Sequence, residues 1–182
     1  RYEFVYPSYN LSKTLDLNSS LDGDFLLNSS GHSKNYDTNI YEKVIINDFV
    51  FKSFSKFRNN GIKNDYKFLV KNINTDATNS SKYRTKRDHK LTSIFEYNTS
   101  YPLQKKNNQQ IHFLKPLMSF KFSPNKSYGI KDAESKINVD NVFNINRIMN
   151  NETIEEGASL TYGTEYKNTN ITKNKVFSAK IA

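Results

Sequence analysis

Residues 156–166 alternate with a period of two. Ala158, Leu160, Tyr162 and Tyr166 fall on one side, while Ser159, Thr161, Gly163 and Glu165 fall on the other. A helix would scatter these sets around its circumference, whereas a strand separates them into two faces. The design recurs along the chain. Leu91, Phe95, Tyr97 and Tyr101 oppose Thr92, Glu96, Asn98 and Ser100, and Leu114, Met118, Phe120 and Phe122 oppose Lys115, Ser119 and Lys121. Tyr66, Phe68 and Val70 stand against Lys67, Leu69 and Lys71. Strands are expected over 1–12 (with a break at Pro7), 21–31, 44–57 (with Phe54 out of phase), 64–74, 90–103, 111–122 and 156–167. With the run at 175–182, the pattern predicts an all-β chain of about seven complete strands plus a partial one.

The intervening polar stretches are 13–18, 32–43, 58–63, 75–89, 104–110, 123–155 and 168–173. In order they read short, long, short, long, short, very long, short. Up-and-down membrane barrels sort their connections this way, with tight turns at one end and long loops at the other. A Greek-key sandwich has no reason to do so. The expected architecture is therefore an antiparallel up-and-down transmembrane β-barrel segment, one unit over 1–182, belonging to a larger barrel.

Composition sharpens this. Hydrophobic residues make up 36 % of the 182 residues, low against the roughly 45–50 % of soluble domains. Aromatic residues alone supply 14 %, which suits strands with one apolar face rather than a dry aliphatic core. There is no cysteine, so neither disulfides nor thiolate metal sites arise. No apolar run nears the roughly 18 residues of a membrane-crossing helix. The chain opens and stops in strand-like runs, as an internal piece of a longer protein would.

The net charge of +9 favours anionic partners. Lys82, Arg84, Lys86 and Arg87 crowd one long loop, and Lys126, Lys131 and Lys136 another. They are candidate contacts for lipid phosphates; the same charges also suit solvated loops. Nucleic acid is not expected, because no reading helix or stacking sheet accompanies them. His32, His89 and His112 lack partners at ligand spacing, and no nucleophile motif occurs. No enzyme activity, metal or cofactor is expected.

The region 101–166 resembles the C-terminal barrel of the LPS-assembly protein family LptD, also called organic solvent tolerance proteins. Tyr101, Pro102 and Leu103 are similar to the family's strand-ending Pro-Leu. The run from Leu114 through Pro116 to Ser123, Pro124 and Asn125 resembles its Glu-Pro and Ser-Pro-Asn strand, with Lys115 in place of Glu. Asp132 to Ser135 stands near its Glu-Asp-Ser element. Asn141, Phe143 and Arg147 resemble its Asn-Leu-Phe and Asn-Arg run; Glu155, Gly157, Tyr162 and Gly163 resemble the strand after it. After Arg147 the chain departs from the family's Phe-Ser-Gly link.

The resemblance implies part of an outer-membrane translocon that inserts lipopolysaccharide into the outer leaflet. A lipoprotein plug of LptE type and a periplasmic lipopolysaccharide bridge protein would be its partners, in the outer membrane of a Gram-negative cell. This segment would supply wall, loops and lumen surface. Glu96, Asn98, Lys115, Ser119, Lys121, Thr161 and Glu165 would line the lumen, and Leu91, Phe95, Leu114, Met118, Phe120, Leu160 and Tyr162 would face lipid. A generic porin or receptor barrel is the alternative, and a soluble adhesin-like β-sandwich a further one.

Overall fold

The computed structural model of the chain describes residues 3–15, 21–36, 39–124, 137–148, 152–170 and 175–182. Its strands are β1 (Glu3–Leu15), β2 (Gly23–Tyr36), β3 (Ile40–Ser53), β4 (Lys56–Phe57), β5 (Lys63–Thr78), β6 (Asp88–Ser100), β7 (Leu103–Lys106), β8 (Gln110–Ser123), β9 (Gly157–Asn170) and β10 (Lys175–Ile181). All ten form one antiparallel sheet ordered β1-β2-β3-β5-β6-β8-β9-β10, with β4 on β5 and β7 on β8. β4 prolongs β3 beyond 54–55, and β7 prolongs β6 beyond 101–102, so the path is an up-and-down meander. The sheet is not closed: β1 and β10 are its edges. Among the described residues there is no helix.

The breaks follow from sequence. Phe54 is out of phase with Phe49 and Phe51, and β3 ends just before it. Pro7 sits where the β1–β2 register shifts, between Val5 and Ser8, since a proline cannot donate to the ladder. One expectation is corrected. The stretch 32–43 is not a long loop: β2 runs to Tyr36 and β3 begins at Ile40. Ser33, Lys34 and Asn35 pair with Lys43, Glu42 and Tyr41. Backbone pairing there does not need an apolar face, so polarity alone misled the reading. The alternation of short and long connections consequently fails at 37–39. It holds for 58–62, 79–87, 107–109, 124–156 and 171–174.

Because paired residues share a face, the registers sort the whole sheet. In-line rows on one face include Asp24, Lys52, Lys67, Glu96, Lys121 and Ser159. On the other lie Phe25, Phe51, Phe68, Phe95, Phe122 and Ala158. The aromatic face has rings in tilted contact (Phe25–Phe51 centroids 4.6 Å apart), which bury Phe25 and Phe51, and no strand of a second sheet lies over it among the described residues. Leu91 is 68 % exposed and Tyr162 63 %.

The aromatic stretch slides along successive strands. On β2 it is Phe25 and Leu27. On β8 it starts at Phe122, in line with Phe25 through β3, β5 and β6, and continues to Leu114. On β10, Phe177, Ala179 and Ile181 lie level with His112, Leu114 and Pro116.

The polar face is partly covered. Leu69, Ile94 and Ile154 form a buried cluster, with Val50 and Ile145 packed against it. Ile145 and Ile154 come from the long 124–156 connection, so its described parts, 137–148 and 152–156, lie back against the sheet. Leu69→Ala should lower stability by about 2–4 kcal/mol, read from the urea midpoint; a loss below about 1 kcal/mol would show that the cluster does not anchor the loop.

Candidate functional site

The folded-back segment meets the sheet at Lys121. The Lys121 side chain is 2 % exposed, and its ammonium donates to the carbonyl oxygens of Val142 (2.9 Å) and Asn144. It lies in line with Glu96. Glu96 is fully buried; its Oε1 accepts from Lys67 Nζ at 2.9 Å and from Asn98 Nδ2. Asn98 Nδ2 also reaches Asp65 Oδ1 at 3.0 Å. Burying either charge alone would cost several kcal/mol. Alternating signs across Lys67, Glu96 and Lys121, together with the loop carbonyls, offset that cost. Ser119 Oγ and Glu96 Oε2 are buried and make no hydrogen bond with the described protein.

Phe143 seats the segment on the sheet, and further bonds shape it from within. Phe143 lies on Gly163: a Cβ built on that glycine would sit 2.7 Å from Phe143 Cζ and 2.7 Å from the Ile181 carbonyl oxygen. Only a residue without a side chain permits this approach. Arg147 Nε donates to Glu155 Oε2 at 2.8 Å, and its Nη2 also contacts Glu155 Oε1. Asn146 Nδ2 donates to the Thr153 carbonyl at 2.9 Å. Asn141, buried, accepts the Asn138 backbone N–H at 2.8 Å and so shapes the turn before Phe143.

The sequence-predicted residues thus distribute as follows. Glu96, Asn98, Ser119, Lys121 and Thr161 are neighbours on the polar face. Lys115 and Glu165 form a separate, half-exposed pair at 3.4 Å towards the other end. Phe143 of the connection meets Gly163 of β9, Arg147 bonds Glu155, and Asn141 shapes its own turn. Pro116 lies within β8, Pro124 just beyond it, and Gly157 opens β9 with φ +81°. Tyr162 is on the aromatic face. Ile145, Ile154 and the carbonyls at 142 and 144 were not anticipated. Their signal was present as apolar residues inside an otherwise polar connection, which the period-two test cannot score.

The basic loop residues are not equivalent. Lys82 Nζ reaches Glu152 Oε1 at 2.7 Å, and Tyr83 donates its hydroxyl to the same oxygen at 2.8 Å. This ties the 79–87 loop to the longer one. Burial, reinforced by Glu152, pushes the Tyr83 phenol well above its usual range, so it stays a donor. Arg87 pairs with Asp76 at 3.2 Å in solvent. Arg84 and Lys86 are exposed and enter no ion pair among the described residues. Lys126, Lys131 and Lys136, with Asn125 and the family-like stretch from Asp132 to Ser135, lie outside the described residues. Among those described, no three carboxylates or histidines are grouped to hold a metal.

Compared with protein-family models and with curated proteins, the sequence matches none. The site is therefore read from its own geometry. It is a charged, hydrogen-bonded surface over which a loop is clasped, on the opposite side of the sheet from an uncovered aromatic belt.

The clasp makes a prediction. Gly163→Val should unseat Phe143 and raise hydrogen exchange across 137–148 while the β8–β9 ladder stays protected, at a cost of about 1–3 kcal/mol; unchanged exchange in that segment would refute the Phe143 contact.

Proposed function

We propose that this chain is a wall segment of an outer-membrane β-barrel, with the aromatic face towards lipid and the polar face towards a water-filled lumen. The observation that carries the reading is the distribution of burial. Charged and hydroxylic side chains (Lys71, Glu96, Ser119, Lys121, Thr161) are buried, while Leu91, Phe120, Phe122, Leu160 and Tyr162 stand exposed on the other face. In water this arrangement is inside out; around an aqueous lumen in a bilayer it is the stable one. The sliding aromatic belt supports the same reading, because a level belt drifts along strands only when they tilt to it, as barrel strands do by roughly 35–45°. The open edges at β1 and β10 would be paired by further strands.

Within that class, the LptD-like order of elements from Tyr101 to Gly163 favours a lipopolysaccharide translocon over a generic porin. Among the family-like residues, Phe143 rests on Gly163 of β9, while Arg147–Glu155 and Asn141 shape the connection itself. In this reading the segment performs no chemistry. It forms wall and lumen surface, with 37–39, 79–87 and 124–156 extracellular and 16–22, 58–62, 107–109 and 171–174 periplasmic. Lipopolysaccharide, a lipoprotein plug and a periplasmic bridge protein are its proposed partners.

The orientation is tested by adjacent substitutions. Leu160→Asp should cost on the order of 1–3 kcal/mol of stability in phospholipid vesicles, whereas Ser159→Asp, in line with Lys121, should cost under about 1 kcal/mol. Equal costs, or a chain that stays soluble and folded without detergent, would remove the membrane reading.

The translocon reading has its own test. Arg84→Glu combined with Lys86→Glu should increase outer-membrane permeability to large hydrophobic antibiotics without lowering barrel abundance. Wild-type permeability would argue for a different cargo.

A further inference from the structure

The aromatic face changes character at one end of the sheet. Leu103, Leu114, Tyr166 and Ala179 lie in line across β7, β8, β9 and β10 and close the apolar belt. The next row on the same face is Lys105, His112, Asn168 and Phe177, and the one beyond it holds Gln110, Asn170 and Lys175. Apolar, amphipathic and polar side chains thus succeed one another in adjacent rows. The rings among them are joined. His112 Nδ1 and the Tyr166 hydroxyl are hydrogen-bonded at 2.9 Å with the two rings stacked, and the Tyr166 ring meets Phe177 at 6.3 Å between centroids. Rings that combine an apolar body with a polar tip gather where hydrocarbon gives way to water.

Charge at this end of the face has one sign. Lys105 and Lys175 are exposed, and neither has an ion-pair partner among the described residues. The one acidic residue of β7 to β10, Glu165, lies on the opposite face in register with Lys115. The other end of the aromatic face is mixed: Lys43 stands in line with Asp76, which Arg87 bonds at 3.2 Å. Lys105 on β7 and Lys175 on β10 are separated by β8 and β9, a span of about 14 Å at ordinary strand spacing. One phosphate cannot bridge them.

From a girdle of joined rings flanked by two lysines without a counter-charge, we infer that this end of the aromatic face binds anionic glycerophospholipids. One phosphate pairs with Lys105 and another with Lys175, and the rings between them bear on glycerol and the first acyl carbons. The assignment rests on the membrane reading above. That reading puts the turns at 107–109 and 171–174 in the periplasm, and hence this girdle in the leaflet built of glycerophospholipid.

The chain contains no tryptophan, which allows a single reporter. Phe177→Trp is introduced into the intact protein, any tryptophan elsewhere being replaced by phenylalanine. Vesicles carry brominated phosphatidylglycerol or brominated phosphatidylcholine at equal mole fraction. The anionic lipid should quench Phe177→Trp about twofold more strongly. Lys105→Gln with Lys175→Gln should erase the difference, and Leu91→Trp, on the same face near its other end, should show none. If Phe177→Trp fails to insert, Leu103→Trp, in the row beside Lys105, repeats the measurement. Equal quenching of the girdle reporter by both lipids, or a preference that survives the lysine substitutions, overturns the lipid site alone. A preference of the same size at Leu91→Trp also overturns it, by assigning the effect to overall charge. Absence of quenching at both positions by either lipid overturns the membrane orientation and the lipid site with it.

Discussion

Register is the constraint on which everything else in this sheet depends. The fourteen residues of β8 and of β9 pair without a bulge, from Gln110↔Asn170 to Ser123↔Gly157. A one-residue slip would exchange the two faces of a strand. Leu160 and Tyr162 would then stand among Lys121, Glu96 and Ser119, and Thr161 would join the aromatic belt. The penalty falls on both faces at once, since each misplaced polar group loses its partners and each misplaced ring enters a charged surface. Two-faced strands therefore fix their own pairing, without requiring the dense aliphatic interior that this composition could not provide.

The polar face shows how such a surface tolerates being covered. A loop laid across it removes water from Glu96 and Lys121, and most ways of doing so would be destabilising. Here the charges alternate across neighbouring strands, and the loop brings its own acceptors to Lys121. The apolar contact with the loop lies on one row, Val50, Leu69 and Ile94, where Ile145 and Ile154 settle. Binding of the loop is thus divided between a small dry patch and a network that tolerates little rearrangement. This division makes the clasp specific in position without making it large.

Much of this was legible in the sequence. The alternation in 90–101, 111–122 and 156–166 gave strand identity, face and the position of the very long connection. Local pattern failed where a segment was polar on both sides, as at 32–43, because neighbours rather than side-chain hydropathy make Ser33 to Asn35 a strand. It also left the inward course of the 124–156 connection unread. Phe143, Ile145 and Ile154 have no periodicity, and their partners Gly163, Leu69 and Ile94 are distant in sequence. Leu69 itself was visible as an apolar residue among lysines, yet nothing local said that a loop would cover it.

The loop also bears on the choice between a barrel wall and half of a sandwich. In a sandwich the covered face is the apolar one, and its partner is a second sheet about 10 Å away. Here the covered face carries Lys67, Lys71, Glu96 and Lys121, its cover is a connection between adjacent strands, and the dry contact reduces to a few aliphatic residues. The other face exposes Phe68, Phe120 and Phe122, while Phe25 and Phe51 are buried among neighbouring rings of that same face. A soluble second layer would have to choose between a charged face already occupied by a loop and an aromatic face bent by drifting register. A bilayer would meet the aromatic face without any matching surface, which is why we propose it rather than a second sheet.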